Sequence, residues 1–401
     1  MFTTDHAPFQ DPRWLHQHAT NLLNFSYPAS IDHTHGGYVA QLRDDDGTVY
    51  DARSRHLVAT CRLVFNYSVG HILGGPDWCR SAAEHGLQFL ETAHYDPETG
   101  GYAWLLDGRE VVDDTRSTYG HAFVLLAYAT AARAGIPGAR ARIEPTVETI
   151  VEQFWEPAHG LCRSNLDAEW EPLSTYRGQN ANMHMCEAYL AAYEATGESA
   201  YLSRAYEIAE SLARELTDRG DGLLWEHYTE DWEFDYAYNR DDPGDLFRPW
   251  GYQPGHLLEW SKLLGLLARH REEDWLLSRG EQFFEAAVES GWDDEYGGFV
   301  YNFDRDGEPV VEDKYYWPLA EGIGAAVVLG TATGDSKYGE WYDDIWSYAW
   351  DNVVNTKYGN WYFKLTRENA VHEALDPTPK VTVGYHQLAN IELALDAARQ
   401  S

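Results

Sequence analysis

A short pattern recurs along this chain: an acidic or polar residue, one or two glycines, then an aromatic or aliphatic run. It reads Gly36-Gly37-Tyr38, Gly100-Gly101-Tyr102-Ala103-Trp104 and His159-Gly160-Leu161 in the first half. It returns as Asp221-Gly222-Leu223-Leu224-Trp225, Gly297-Gly298-Phe299-Val300-Tyr301 and Gly359-Asn360-Trp361-Tyr362. The glycines at 37, 101, 160, 222, 298 and 359 stand 64, 59, 62, 76 and 61 residues apart. Self-similarity at a near-constant period sets the architecture before any other signal does.

Between the glycine turns, apolar residues at or near i, i+3, i+4 and i+7 predict helices, two per repeat. The predicted runs are Arg55–Val69, Trp78–Ala93, Ser117–Ala134, Ile143–Phe154, Ala181–Thr196, Ala200–Leu216, Gly255–His270, Trp275–Ser290, Trp317–Thr333, Lys337–Val353 and Val383–Ala398. Asp46-Gly47, Asp107-Gly108 and Asp306-Gly307 follow aromatic or aliphatic stretches and predict short β-hairpins at the glycine ends. Six helix pairs make either an open solenoid or a closed ring. A solenoid shows polar capping repeats, whereas here the first and last repeats are as apolar as the middle ones. The expectation is an all-α chain, an (α/α)6 barrel with short hairpins at its pocket end, forming one domain over residues 1–401.

Composition narrows the function classes. The chain carries 65 acidic against 30 basic residues, a net charge of −35, which argues against nucleic acid and anionic membranes as partners. Six of the basic residues are lysine, at 262, 314, 337, 357, 364 and 380. An acidic, lysine-poor surface suits solubility in high salt, so a halophilic source is expected. No apolar run reaches the length of a membrane span. Met1–His6 shows no basic region followed by an apolar segment, so a cytoplasmic protein is expected. The four cysteines, at 61, 79, 162 and 186, show no C-x-x-C spacing and no zinc framework.

The stretch Phe247–Trp260 stands out locally. It runs Arg248, a proline-broken loop, Pro254 where a first helical turn tolerates it, then His256 and Glu259 three residues apart on one helix face. If the ring closes, polar residues at the starts of the other inner helices face the same pocket. These are Arg62; Tyr119 and His121; Asn180, Asn182, His184 and Glu187; Trp317 and Glu321; Tyr385 and His386. Trp250, Tyr252, Trp317 and Trp361 offer aromatic faces for a sugar ring.

Several chemistries are open to this set. His and Glu groups could bind a metal, but H-x-x-E at 256 and 259 is not the H-E-x-x-H of zinc hydrolases. A glycosidase would use two opposed carboxyl groups, for which Glu259 and Glu321 are the candidates. No G-x-S-x-G elbow and no phosphate-binding glycine loop is present. Two histidines and an arginine suit proton transfer at a carbon beside a carbonyl, with no cofactor and no metal.

Five motifs resemble one known family. They are Arg177-Gly178-Gln179-Asn180-Ala181-Asn182-Met183-His184-Met185-Cys186-Glu187, Phe247–Trp260, His56–Arg62, Trp317-Pro318-Leu319-Ala320-Glu321, and Tyr385-His386. In this order they resemble the N-acylglucosamine 2-epimerase superfamily, from about Trp14 to Leu395. Within it the likeness is to the aldose–ketose isomerases of the mannose isomerase and sulfoquinovose isomerase type. The resemblance implies metal-free, cofactor-free isomerisation of a monosaccharide through a cis-enediol, D-mannose to D-fructose and D-lyxose to D-xylulose. Carried over, it implies His256 and His386 as the acid/base pair, with Glu259 orienting His256. It implies Arg62 at the O1/O2 region of the substrate, and His184 and Arg248 at substrate-binding positions. Asn180, Tyr119, Trp317 and Glu321 are further expected binding residues. A 2-epimerase on the same fold, an (α/α)6 glycoside hydrolase and a sugar-binding protein stay open as alternatives. Phe363-Lys364 departs from the sulfosugar isomerase pattern, and Lys364 is expected to meet either an anionic group or solvent. Monomer and homo-oligomer are both left open.

Overall fold

The structure, a computed structural model, describes residues 8–372 and 383–400. The stretch Met1–His6 lies outside them. The chain forms two compact units, each described by itself. One holds residues 26–240 and 383–385; the other holds 8–25, 241–372 and 386–400.

In the first unit, α2 (Leu57–Ile72), α4 (Thr118–Arg133) and α6 (Gln179–Thr196) pack in succession. Each also packs on the helix that follows it: α3 (Trp78–Phe89), α5 (Ile143–Gln153) or α7 (Ser199–Ala209). Burial distinguishes the two layers. α2 and α4 are buried round almost their whole circumference. α3 buries Cys79, Ala82, Ala83, Gly86 and Leu87, the single stripe of an outer helix. A wide π-type turn, Glu210–Leu216, carries α7 into the short α8 (Thr217–Arg219).

The second unit repeats the plan. α9 (Pro254–Ala268) packs on α10 (Asp274–Gly291) and on α11 (Tyr316–Thr333), and α11 packs on α12 (Ser336–Tyr348). α13 (Tyr385–Gln400) begins after Gly384, whose φ of 84° stops the predicted start at Val383. The unit boundary falls inside α13, so Tyr385 is described with the first unit and His386 with the second.

One helix escaped the periodicity. α1 (Pro12–Ser26) supplies the partner missing from the predicted list. Its Trp14 lies edge-on to Trp346 of α12 at 5.1 Å, and its His18 accepts the indole N–H of Trp361 at 2.9 Å. Trp361 is therefore packed among core aromatic side chains.

All six repeat glycines, at 37, 101, 160, 222, 298 and 359, adopt positive φ between 65° and 86°. Five of the loops close by an antiparallel bridge seven residues wide: Ile31 to Tyr38, Tyr95 to Tyr102, Trp155 to Cys162, Trp292 to Phe299 and Val354 to Trp361. At Gly298 a Cβ would fall 2.4 Å from the Tyr348 ring, so close aromatic packing as well as backbone conformation demands glycine. The three predicted Asp-Gly hairpins form as Gln41–Leu42 with Val49–Asp51, Leu105–Asp107 with Glu110–Asp113, and Asn302–Phe303 with Pro309–Val311. α2 starts two residues later than its periodicity predicts because Ser54–His56 pairs with Leu105–Asp107. His56 Nδ1 then caps the helix by accepting Val58 N–H at 3.1 Å.

Candidate active site

In the second unit, Pro254 opens α9 and places His256 in its first turn. Gly255 lets Trp317 of α11 lie against that turn, since a Cβ there would meet the indole at 2.2 Å. The half-buried Trp317 has His256 at 5.1 Å on one side and His386 of α13 at 5.8 Å, ring centre to ring centre. The two histidines named by the sequence are thus brought to the same indole.

Behind His386 is a buried ionic cluster. Its Nδ1 lies 2.7 Å from Oε1 of Glu321, which is fully buried in α11. Asn390, one turn along α13, donates to the same oxygen at 3.1 Å and to the His386 carbonyl at 2.8 Å. The other oxygen, Oε2, accepts the ammonium of Lys262 from α9. Burial alone would raise the Glu321 carboxyl, but Lys262 and His386 overcome it and hold the group well below the usual carboxylate range. An ionised carboxylate only accepts, so the Nδ1 of His386 carries a proton toward Glu321. Glu259 is buried nearby: its carboxylate, that of Glu321 and a ring nitrogen of His386 lie within 4.8 Å of one another. Such a set could accept a cation, and the ammonium of Lys262 already supplies one on Glu321.

Arg248 is half-buried on the loop before α9. Its backbone N–H and that of Phe247 are held by Asp245 Oδ1, at 2.6 and 2.9 Å. Asn302 donates to the carbonyls of Pro243 and Trp250, and Tyr301 donates to that of Asp245, so a hairpin strand ties the loop down. Tyr252 is buried in the same join, bridged to Phe303. Lys364 pairs with Asp313 at 2.6 Å, so a neighbouring side chain supplies its anion.

In the first unit, Arg62 is buried mid-way along α2. It donates to Tyr119 Oη at 3.1 Å, with its guanidinium 4.5 Å from the Phe123 ring centre and 4.8 Å from that of Tyr385. His184 of α6 packs 5.2 Å from Tyr119 and 4.7 Å from Phe123. Its Nδ1 lies 3.1 Å from Glu187 Oε2, and Tyr385 donates to both Glu187 oxygens at 2.5 Å. Asn180, a turn before His184, keeps a buried Oδ1 with no hydrogen-bond partner. Arg62, Tyr119, His184 and Glu187 therefore form one linked group. Phe123 was missed by sequence reasoning, because an aromatic inside an apolar helix carries no signal of its own.

Two candidates are structural. His121 is fully buried, with Nδ1 on the Ser117 carbonyl at 2.8 Å and Nε2 accepting Tyr102 N–H at 3.3 Å. Burial pushes its imidazole down to about 4. Asn182 bonds both the N–H and the carbonyl of Cys162, pinning the Leu161–Cys162 strand to α6.

A family profile described as N-acylglucosamine 2-epimerase (GlcNAc 2-epimerase) matches residues 36–389. The chain belongs to this family. It is 39% identical to the D-mannose isomerase of Marinomonas mediterranea over 381 residues, 95% of this chain and 96% of that one. It is 40% identical to the D-mannose isomerase of Thermobifida fusca, covering 91% of this chain and 87% of that one. A crystal structure of D-mannose isomerase matches with a TM-score of 0.94 at 38% identity, over 98% of this chain and 100% of that one. These likenesses show the fold class, an all-α (α/α)6 barrel, and make this N-acylglucosamine 2-epimerase family member an isomerase. No described helix is long and apolar enough to cross a membrane.

Proposed function

We propose that this protein is an aldose–ketose isomerase that interconverts D-mannose and D-fructose, and with them D-lyxose and D-xylulose. What carries the reading on the geometric side is the pair of histidines on Trp317, one of them held by a buried carboxylate. One imidazole takes the C2 proton of the open-chain aldose. As the cis-enediol forms, O1 gains a proton; as the base returns its proton to C1, O2 loses one and the ketose results. The atoms balance with no redox partner, and neither metal nor cofactor enters the scheme. His256 and His386 are the acid/base pair, with Glu259 and Glu321 as the carboxylates that orient them. Arg62 stabilises charge at the O1/O2 region. His184, Asn180, Tyr119, Arg248 and Trp317 bind the remaining hydroxyl and apolar faces.

The family description also favours a 2-epimerase, in which the proton returns to the opposite face of C2. Incubation with D-mannose separates the two: fructose is expected, and glucose without fructose would overturn the isomerase reading. Turnover in deuterated water should place solvent deuterium on C1 or C2. Lys364, already paired with Asp313, gives no support to a sulfonated sugar. Release of reducing ends from an oligosaccharide by a His256→Ala variant would favour a hydrolase instead, and binding without turnover a sugar-binding protein. The same proposal takes residues 1–401 as one catalytic domain of a cytoplasmic protein, and reads the charge of −35 as adaptation to salt, tested by activity in molar potassium chloride.

A further inference from the structure

Lys262 is one of six lysines, and its sequence surroundings assign it no role. The structure buries it. Its side chain is 3% exposed, on the face of α9 that also carries Glu259, and it ends on Glu321. We propose that Lys262 is a positioning residue for His386: its ammonium holds Glu321 as an anion, so that His386 keeps the Nδ1–H tautomer and stays neutral until a proton reaches Nε2. This rests on the reading of His386 as an acid/base group.

Geometry supports the proposal from three sides. The two oxygens of Glu321 are divided, Oε1 to His386 and Asn390, Oε2 to Lys262. Space for the arrangement is made by Gly324, one turn beyond Glu321. A Cβ there would fall 1.8 Å from Asn390 Oδ1 and 3.2 Å from Lys262 Cδ. Within this unit, the titratable and charged groups around His386 include Glu321 and Tyr316 on α11, Glu259 and Lys262 on α9, and His256 on the shared Trp317 indole. Two of these are buried carboxylates, and Lys262 is the cation among them. A carboxylate with no second cation would be neutralised by turning His386 into imidazolium, and an imidazolium cannot accept the C2 proton. With the ammonium in place, that demand is met elsewhere.

The test reads His386 directly. Protein labelled with ¹³C,¹⁵N-histidine gives ring signals, and that of His386 is assigned by its loss in His386→Gln. In the wild type at pH 7.5 the proposal requires a neutral ring with the proton on Nδ1; an imidazolium, or a proton on Nε2, overturns it without any variant of Lys262. In Lys262→Met the His386 titration midpoint is expected to rise by about one pH unit or more, tenfold in proton affinity. Lys262→Gln, which can still donate to Glu321, serves if the methionine variant does not fold, and Lys262→Arg should restore the wild-type midpoint. A midpoint that stays or falls in the uncharged variants overturns the proposal, because a merely structural lysine would alter melting and leave the titration in place. The acid limb of kcat/KM for D-mannose should follow the same shift. If the wild type turns over no aldose, the acid/base reading fails while the NMR result still decides what Lys262 does to His386.

Discussion

Nδ1 of His386 lies 2.7 Å from Oε1 of Glu321, joining the first turn of α13 to the buried middle of α11. Replacing Glu321 by Gln removes the anion and leaves the Lys262 ammonium buried without its partner. Stability should fall by about 3–5 kcal/mol, the usual cost of breaking a buried ion pair. The kcat for mannose should drop by about 10²-fold or more. Thermal melting and initial rates check the two effects separately.

His256 and His386 both pack on Trp317. His256→Gln and His386→Gln should each lower kcat by roughly 10²–10⁴-fold, the range for losing a general acid or base. The double variant should show no isomerisation. Activity surviving in it excludes the proton-transfer mechanism.

Gly324→Ala should lower stability by roughly 1–3 kcal/mol, because the added methyl meets Asn390 Oδ1. Adding Asn390→Ala should recover part of that loss. A double-mutant cycle on melting temperature measures the coupling; additive effects would mean the two residues do not meet.

Four buried histidines make stability fall with acid. Burial holds His18, His94 and His121 down to about 4 and His56 to about 3. Between about pH 6.5 and these values the unfolded chain binds protons that the folded chain refuses, so stability rises with pH across that window. Each histidine contributes a slope of about 1.4 kcal/mol per pH unit there. Denaturation midpoints measured from pH 7 down to 4.5 should decline, and His121→Asn should flatten the decline.

Dialysis against EDTA should leave mannose turnover unchanged. Loss of activity restored by a divalent ion would replace the proton-transfer reading with a metal-assisted one, for which Glu259, Glu321 and His386 hold the donor atoms.

The periodic glycines made the helix pairs legible, because each holds a left-handed turn that favours glycine, and at Gly37, Gly101 and Gly298 an aromatic ring also leaves no room for a Cβ. The Asp-Gly hairpins were legible for a similar local reason. α1 was not: Pro12–Ser26 mixes His, Gln and Asn into its stripe, and its packing partners Trp346 and Trp361 lie more than 300 residues away. His121 and His184 look alike in sequence, each near the start of an inner helix. One has both ring nitrogens taken by its own backbone surroundings; the other reaches Glu187 and two aromatic rings.

By itself, then, the sequence determined the repeat, the helix pairs, the hairpins and the short roll of His, Arg and Glu that could carry chemistry, since turns and helix faces are local matters of backbone conformation and spacing. Which carboxylate serves which histidine was decided by the tertiary structure alone. Glu321 and His386, 65 residues apart on different helices, are joined by a hydrogen bond that no local spacing announces. Lys262 met Glu321 only when α9 and α11 packed, because burial turns an ordinary lysine into a charge that its neighbours must answer.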